Sequence, residues 1–338
     1  MHIHTSTSPD RSPGRRARTS GLPPPALVGE SGAVRRARGA LEQPGGGPLL
    51  ILADDGLDAA GVARHVHERT RAGQPFVTVD CAQPGDALDA ALFGARARAA
   101  AELETLGAGS ALLAARRGTV FLDRVGELPA ALQRRLARVL RDGEVRVGSR
   151  VRVRIEARIV AAGAPALPAD TRDGRFRADL LRRFAAVPVP TLRQRPGDLP
   201  AIVTRLAADL SAASGRPAPG FTPAALTMLT ALPWSGNIDE LSETLARALE
   251  QTGAPLVRQE DLLPVVPFDG LARRVSPLVS LREARRRFER EYIASVLEQH
   301  SWRMSDAART LGIERANLYR KTRELGIQRG APGGRSHS

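Results

Sequence analysis

Ser301 to Gly326 reads S-W-R-M-S-D-A-A-R-T-L-G-I-E-R-A-N-L-Y-R-K-T-R-E-L-G. Two short helical patterns meet at Leu311-Gly312-Ile313. In the first, Ala307, Ala308 and Leu311 share one face. In the second, Leu318, Thr322 and Leu325 form the apolar stripe, leaving Arg315, Asn317, Arg320 and Lys321 to point elsewhere. Gly312 stands where the first helix must stop, a position that favours a residue free to adopt the left-handed conformation. Two short helices joined through such a turn, the second rich in Arg, Asn and Lys, form the pattern of a helix-turn-helix that reads DNA. The plain alternative is a surface helical hairpin with a solvated basic face.

The surrounding chain has 338 residues and a formal charge of +14, which suits a polyanionic partner. Of its 50 basic side chains only Lys321 is a lysine, so part of the charge reflects an arginine bias rather than a function. One cysteine, Cys81, rules out an intramolecular disulfide framework or a cysteine-rich zinc site. No apolar run reaches the roughly 18 residues of a membrane span, and the N-terminus carries no signal-peptide pattern. The expectation is a cytoplasmic protein that makes no membrane contact.

Residues 1–25 are Ser, Pro, Arg and Gly with little to bury, and read as a basic tail. From 26 to 195, apolar runs at Leu49–Leu52, Phe76–Asp80, Gly118–Asp123, Arg158–Ala162 and Ala186–Val189 alternate with helical patterns such as Ala59–Thr70 and Ala130–Asp142. That alternation predicts an α/β domain with a mostly parallel sheet and flanking helices. Gly143–Ile155 alternates Val with charged residues and predicts a half-exposed hairpin. Residues 196–253 predict a small helical lid subdomain, 254–280 a linker, 281–329 the all-α helix-turn-helix domain, and 330–338 a tail. Leu281–Gln299 predicts a longer helix whose stripe includes Phe288, Tyr292 and Val296. A second copy packed there would place two recognition helices about 34 Å apart on a palindromic operator. A homodimer or a higher oligomer is therefore expected.

Several segments together resemble the bacterial sigma-54-dependent enhancer-binding regulators, which join an AAA+ sigma-54 interaction domain to a Fis-type helix-turn-helix. They include Val28-Gly29-Glu30-Ser31, Leu92-Phe93-Gly94, Gly118–Asp123, Gly126-Glu127-Leu128-Pro129, Gly174–Leu180, Leu192-Arg193-Gln194-Arg195 and Trp234-Ser235-Gly236-Asn237. The likeness covers roughly 26–327 and implies an AAA+ fold, oligomers, double-stranded DNA and RNA polymerase as a partner.

The departures from the family pattern fall on its chemistry. A phosphate loop needs G-x-x-x-x-G-K-[ST], whose glycines admit the phosphates and whose lysine neutralises them. In register here is Ala53-Asp54-Asp55-Gly56-Leu57-Asp58-Ala59-Ala60, with Ala59 in place of the lysine and Asp58 in place of a glycine. Arg64, over one helical turn further on, is a substitute cation at most. Asp123 keeps the Mg²⁺ position, but Arg124 replaces the Glu that polarises water, and arginine accepts no proton. Asp80 replaces an Asn, and Asp239 replaces the sensor arginine. The family's G-A-F-T-G-A loop is matched only by Arg96-Ala97-Arg98-Ala99-Ala100-Ala101.

These changes predict a pseudo-ATPase: no catalytic residue, neither ATP nor Mg²⁺ as cofactor, and an AAA+ domain used for oligomerisation or docking. Arg177 and Arg183 match the arginine fingers, which leaves open a mixed ring with an intact AAA+ homologue. The remaining alternatives are an ATP-binding sigma-54-dependent activator with atypical site residues, and an adaptor that ignores DNA. By the resemblance, Arg315, Asn317 and Arg320 enter the major groove, while Lys321 and Arg323 hold phosphates.

Overall fold

A computed structural model describes residues 22–43, 47–94, 103–147, 151–266, and 290–327 apart from 291, 292, 295, 298, 299, 301 and 312. The chain divides into two compact units, 1–266 and 267–338.

In the first unit the chain runs through α1 (Gly32–Leu41), β1 (Leu49–Leu52), α2 (Ala59–Arg71), β2 (Phe76–Asp80), α3 (Gly85–Phe93), β3 (Thr105–Leu106) and α4 (Ala111–Ala114). It continues with β4 (Thr119–Asp123), α5 (Ala130–Asp142), β5 (Glu144–Val147), β6 (Val151–Arg154), β7 (Arg158–Gly163), α6 (Leu167–Arg172), α7 (Ala178–Leu181) and β8 (Ala185–Pro188). The lid follows as α8 (Leu199–Ala213), β9 (Gly220–Phe221), α9 (Pro223–Ala231), α10 (Asn237–Gln251), β10 (Leu256–Val257) and α11 (Gln259–Leu262).

The main sheet has the order β2-β4-β7-β1-β8, all parallel. The three central strands β4, β7 and β1 are buried along nearly their whole length because both faces are covered, whereas the edge strands β2 and β8 are partly exposed. Leu49 and Ile51 enter one core with α1, α2 and the lid, whereas Leu50 enters the other with α3, α5 and α7. Phe121 faces the first core, and its neighbours Val120 and Leu122 face the second. This period of two fixes the register, and the parallel pairing puts all the strand carboxyl ends on one edge.

The hairpin expected over 143–155 is present as an antiparallel pair in which Val145 faces Val153 and Arg146 faces Arg152. It extends a second sheet of order β3-β5-β6. At the root of that sheet, buried Glu104 receives Nε of Arg135 at 2.6 Å and Nη1 of Arg138 at 3.4 Å. Arg135 also pairs with Asp89 and lies over the Phe93 ring. The lid is helical, as expected from 196 onward, apart from the short parallel pairing of Gly220-Phe221 with Leu256-Val257. After it, Leu262, Val265 and Val266 pack into the lid's core.

In the second unit, α12 (Met304–Thr310) and α13 (Arg315–Glu324) form a helical hairpin. Leu318 is fully buried against Ala307, Ala308, Ile293, Val296 and Leu297. The longer helix read over Leu281–Gln299 and the segment Arg96–Ala101 lie largely or wholly outside the described residues.

Candidate functional site

In an open parallel sheet, ligands bind beyond the strand carboxyl ends. At that edge β1 runs into Ala53–Asp58 and then α2. Gly56 has φ +78°, and a Cβ there would meet the Gly236 carbonyl oxygen at 2.0 Å. Glycine is therefore needed both for the conformation and for the approach of the lid. Asn237 clamps this contact: its Nδ2 donates to the Asp55 carbonyl at 2.9 Å, and its Oδ1 accepts from the Leu192 amide at 3.3 Å. The Asp239 amide donates to the Gly56 carbonyl at 3.1 Å. Trp234 is buried, with Nε1 donating to the Leu229 carbonyl.

Between the loop and the lid lies a cleft of about 410 Å³, lined by Asp54, Asp55, Thr191, Arg193, Gln194, Trp234, Ser235 and Asn237. Arg193 is the only basic side chain in that lining.

Asp58 is the N-cap of α2. It sits in the left-handed region at φ 48°, and its Oδ1 accepts from the Gly61 amide at 2.9 Å. A helix N-terminus attracts anions through its unpaired amides and its dipole. Here a carboxylate of the protein itself occupies part of that position. Ala59, where a lysine was sought, begins the helix and packs on the apolar core. Asp239 is exposed at the surface, near Asp58; desolvation by the surrounding protein first, and the charge of Asp58 second, raise its carboxyl above the usual range. Arg64 does not substitute for the lysine: its guanidinium lies 4.6 Å from the Phe76 ring centroid, at the opposite end of the sheet from the loop.

At the end of β4, Asp123 lies beside Asp80 across the parallel pairing. Arg124 is left-handed at φ 53° and donates from Nη2 to Asp80 Oδ2 at 2.5 Å. This hydrogen bond to the Asp80 carboxylate is the largest influence raising the Arg124 pKa. The two substitutions noted separately in the sequence are thus one ion pair. Cys81, next to it, is buried, and burial pushes its thiol up to about 12.

Arg177 makes a two-pronged contact with Asp179, at 2.9 and 2.7 Å. Arg183 is half-buried, and its charge helps to lower the Asp142 pKa, behind the larger effects of Arg141. A contact missed from sequence joins the start of the domain to its end. Asp198 Oδ1 accepts from the amides of Glu30 and Ser31, and the fully buried Arg195 donates to the Val28 carbonyl. Burial lowers the Arg195 guanidinium to about 10. Arg195 was visible only as a family anchor, because the contact spans 167 positions.

On α13, Arg315, Arg320 and Arg323 are exposed, whereas Asn317 and Lys321 are half-buried. Arg320 reaches Glu324 at 3.8 Å, and Arg315 lies 5.7 Å from the Tyr319 ring centroid. Glu314, the N-cap, makes no side-chain cap bond.

Family models match three consecutive stretches: a sigma-54 interaction domain over 29–190, an AAA+ ATPase lid domain over 193–269, and a bacterial regulatory protein of the Fis family over 284–329. The Escherichia coli K12 transcriptional regulatory protein ZraR is 32% identical over 306 residues, covering 87% of this chain and 68% of ZraR. The chain belongs to this family of sigma-54-interacting regulators. The regulatory protein AtoC of Escherichia coli K12 is 33% identical over 82% of this chain. The chain spans 62% of the length of AtoC.

NtrX from Brucella abortus has been solved in complex with ADP and with ATP. The ADP complex matches with a TM-score of 0.68 at 29% identity, over 89% of this chain and 70% of NtrX. The ATP complex matches with a TM-score of 0.59 at 30% identity, over 92% of this chain and 70% of NtrX. This finding overturns the expectation of a non-enzymatic pseudo-ATPase without an adenine-nucleotide cofactor. The altered residues had been judged one by one against the motif, apart from the architecture that surrounds them. The glycine loop, the amino end of a 13-residue helix and a lid closing on both are all built here. Among the described residues no helix is long and apolar enough to cross a membrane.

Proposed function

We propose that this chain is a DNA-binding transcriptional regulator of the sigma-54-dependent type whose AAA+ unit binds adenine nucleotide with atypical site residues. The observation that carries the nucleotide reading is the likeness to NtrX, solved with ATP and with ADP, across the unit that forms the loop and lid. On this reading the base and ribose occupy the cleft beside Trp234 and Thr191, and the phosphates extend toward the amino end of α2. Arg193 supplies a cation from the lid side.

No group of three metal-binding side chains is preformed among the described residues. The donor set nevertheless fits a magnesium ion that arrives with its nucleotide. Mg²⁺ takes one or two carboxylates together with substrate phosphates, and Asp123 and the lip acids Asp54 and Asp55 offer them at the sheet edge. The ion would offset the negative charge of these acids facing the phosphates. Arg124 and Asp80, locked together, set the polarity next to that position.

The output is DNA binding through α13, by a homodimer or higher oligomer on a two-fold operator. Arg315 and Arg320 project from the exposed face toward bases, Asn317 flanks them, and Lys321 and Arg323 hold phosphates. Arg177 and Arg183 are the arginines offered to a neighbouring subunit.

The test uses the full chain in two titrations, one of Mg·ATP and Mg·ADP and one of operator DNA isolated by genome-wide mapping. Saturable nucleotide binding supports the first half of the reading, and its absence defeats that half. Arg315→Ala is expected to cost roughly 1–3 kcal/mol on operator DNA and much less on random DNA. Equal losses on both would make Arg315 a phosphate contact.

A further inference from the structure

One large, partly apolar side chain on the helix-turn-helix unit is left in the open. Tyr319 is 50% exposed, and it is the only large hydrophobic of this unit so exposed among the described residues. Its position is fixed by the burial pattern of α13. Leu318 points into the core at 0% exposure, which turns Arg315, Ala316, Tyr319, Arg320 and Arg323 outward. These five fall at i, i+1, i+4, i+5 and i+8, a single stripe on a 3.6-residue helix. Tyr319 is in the middle of the stripe, with arginines on both sides along the axis. Asn317 is half-buried and lies to the flank. The Arg315 guanidinium lies 5.7 Å from the Tyr319 ring centroid, within the range of a cation–π contact.

We propose that Tyr319 reads sequence, its ring packing on a thymine methyl group in the major groove while Arg315, steered by that ring, contacts the adjacent base. The inference rests on the DNA-binding reading above. Three features support it. The major groove displays one apolar group, the thymine C5 methyl, and apolar side chains recognise it. A ring carried by two torsions loses little freedom on binding, so it suits a contact surface better than another arginine would. An aromatic ring at the centre of an arginine stripe also adds little to non-specific affinity, which comes from phosphate neutralisation. Its value lies in discriminating between sequences.

The experiment selects preferred sites from a random duplex library with the full chain, for wild type, Tyr319→Phe and Tyr319→Ala. Affinities are then measured for the selected site with each preferred thymine replaced by deoxyuridine, which removes only the methyl group. The wild type is expected to prefer thymine at one position of each half-site and to lose about fourfold per half-site on deoxyuridine, the worth of one buried methyl. Tyr319→Phe should keep both properties. Tyr319→Ala should lose the thymine preference, bind thymine and deoxyuridine sites equally, and retain its affinity for random DNA.

A deoxyuridine penalty that survives in Tyr319→Ala would overturn the proposal, as would an unchanged selected sequence. If Tyr319→Phe behaves like Tyr319→Ala, the hydroxyl and not the ring is the contact, and the proposal also fails. A wild type that binds no DNA at any salt defeats the underlying DNA-binding reading instead. Arg315→Ala in the same selection separates a fold defect from a reading defect, since it should alter a neighbouring base and leave the thymine penalty in place.

Discussion

Replacing Asp58 by Asn tests how this loop treats phosphate. The Asp58 carboxylate caps α2 through the Gly61 amide at 2.9 Å, at the end of the helix where a phosphate would be drawn. Asn caps a helix about as well as Asp, so the substitution should leave the melting temperature nearly unchanged. What it removes is one negative charge. Two unit charges about 6 Å apart at an effective dielectric constant of about 20 interact by about 3 kcal/mol. Asp58 is partly exposed, and solvent and salt reduce the effect to about 1.4 kcal/mol. Affinity for Mg·ATP should therefore rise about tenfold, with a smaller gain for Mg·ADP, which carries less charge. The gain should shrink as salt is raised. Isothermal titration of wild type and Asp58→Asn at two ionic strengths gives the comparison. An unchanged or weaker ATP affinity in a variant that melts normally would refute the reasoning and place the phosphates elsewhere.

Asp239 provides a pH test. Its carboxyl is raised in the folded state, so between the ordinary aspartate pKa and the raised one the folded chain holds more protons than the unfolded chain. Stability contributed by this group must fall as pH rises through that window and stay low above it. Asp239→Asn should accordingly raise the melting temperature at pH 8, with the gain vanishing near pH 4; a gain independent of pH would contradict this. Arg124→Glu together with Asp80→Asn replaces an ion pair by the family's carboxylate and amide, and should raise the steady-state rate of ATP turnover at least about tenfold; an equal or lower rate would show that the ion pair is no obstacle. Arg135→Ala leaves the buried carboxylate of Glu104 with only the longer contact to Arg138 and should cost about 3 kcal/mol in denaturant unfolding of the AAA+ unit, against less than about 1 kcal/mol if the network were solvated.

The strands were legible because their short β-branched and apolar runs, densest in the doubly covered central strands, stand out between helical patterns. Leu49–Leu52 and Phe76–Asp80 were placed to the residue, and the remaining core strands to within one. The helical hairpin was legible for the same reason, since Leu318 marks the buried face. Contacts between distant segments were not. Nothing in the local sequence says that Asn237 will hold the Asp55 carbonyl, 182 positions away, or that Asp80 and Arg124 will pair. Each altered residue therefore looked like a separate loss when judged against the motif. In the structure Asp58 is a helix cap and Arg124 is half of an ion pair, so neither is simply a missing group. The exposed face of α13 also came out differently in detail. Reading outward-pointing polar side chains favoured Asn317, while the burial around Leu318 brings Tyr319 to the centre.

The central claim is that a loop without its lysine still holds nucleotide through the helix end, the lid and a magnesium ion carried with the phosphates. Equilibrium titration of the full chain with Mg·ATP and Mg·ADP tests this most directly. The account predicts saturable binding of both, at one nucleotide per chain, weakened by Arg193→Ala. No detectable binding of either nucleotide at millimolar concentration, by a chain that still binds its operator, would contradict it.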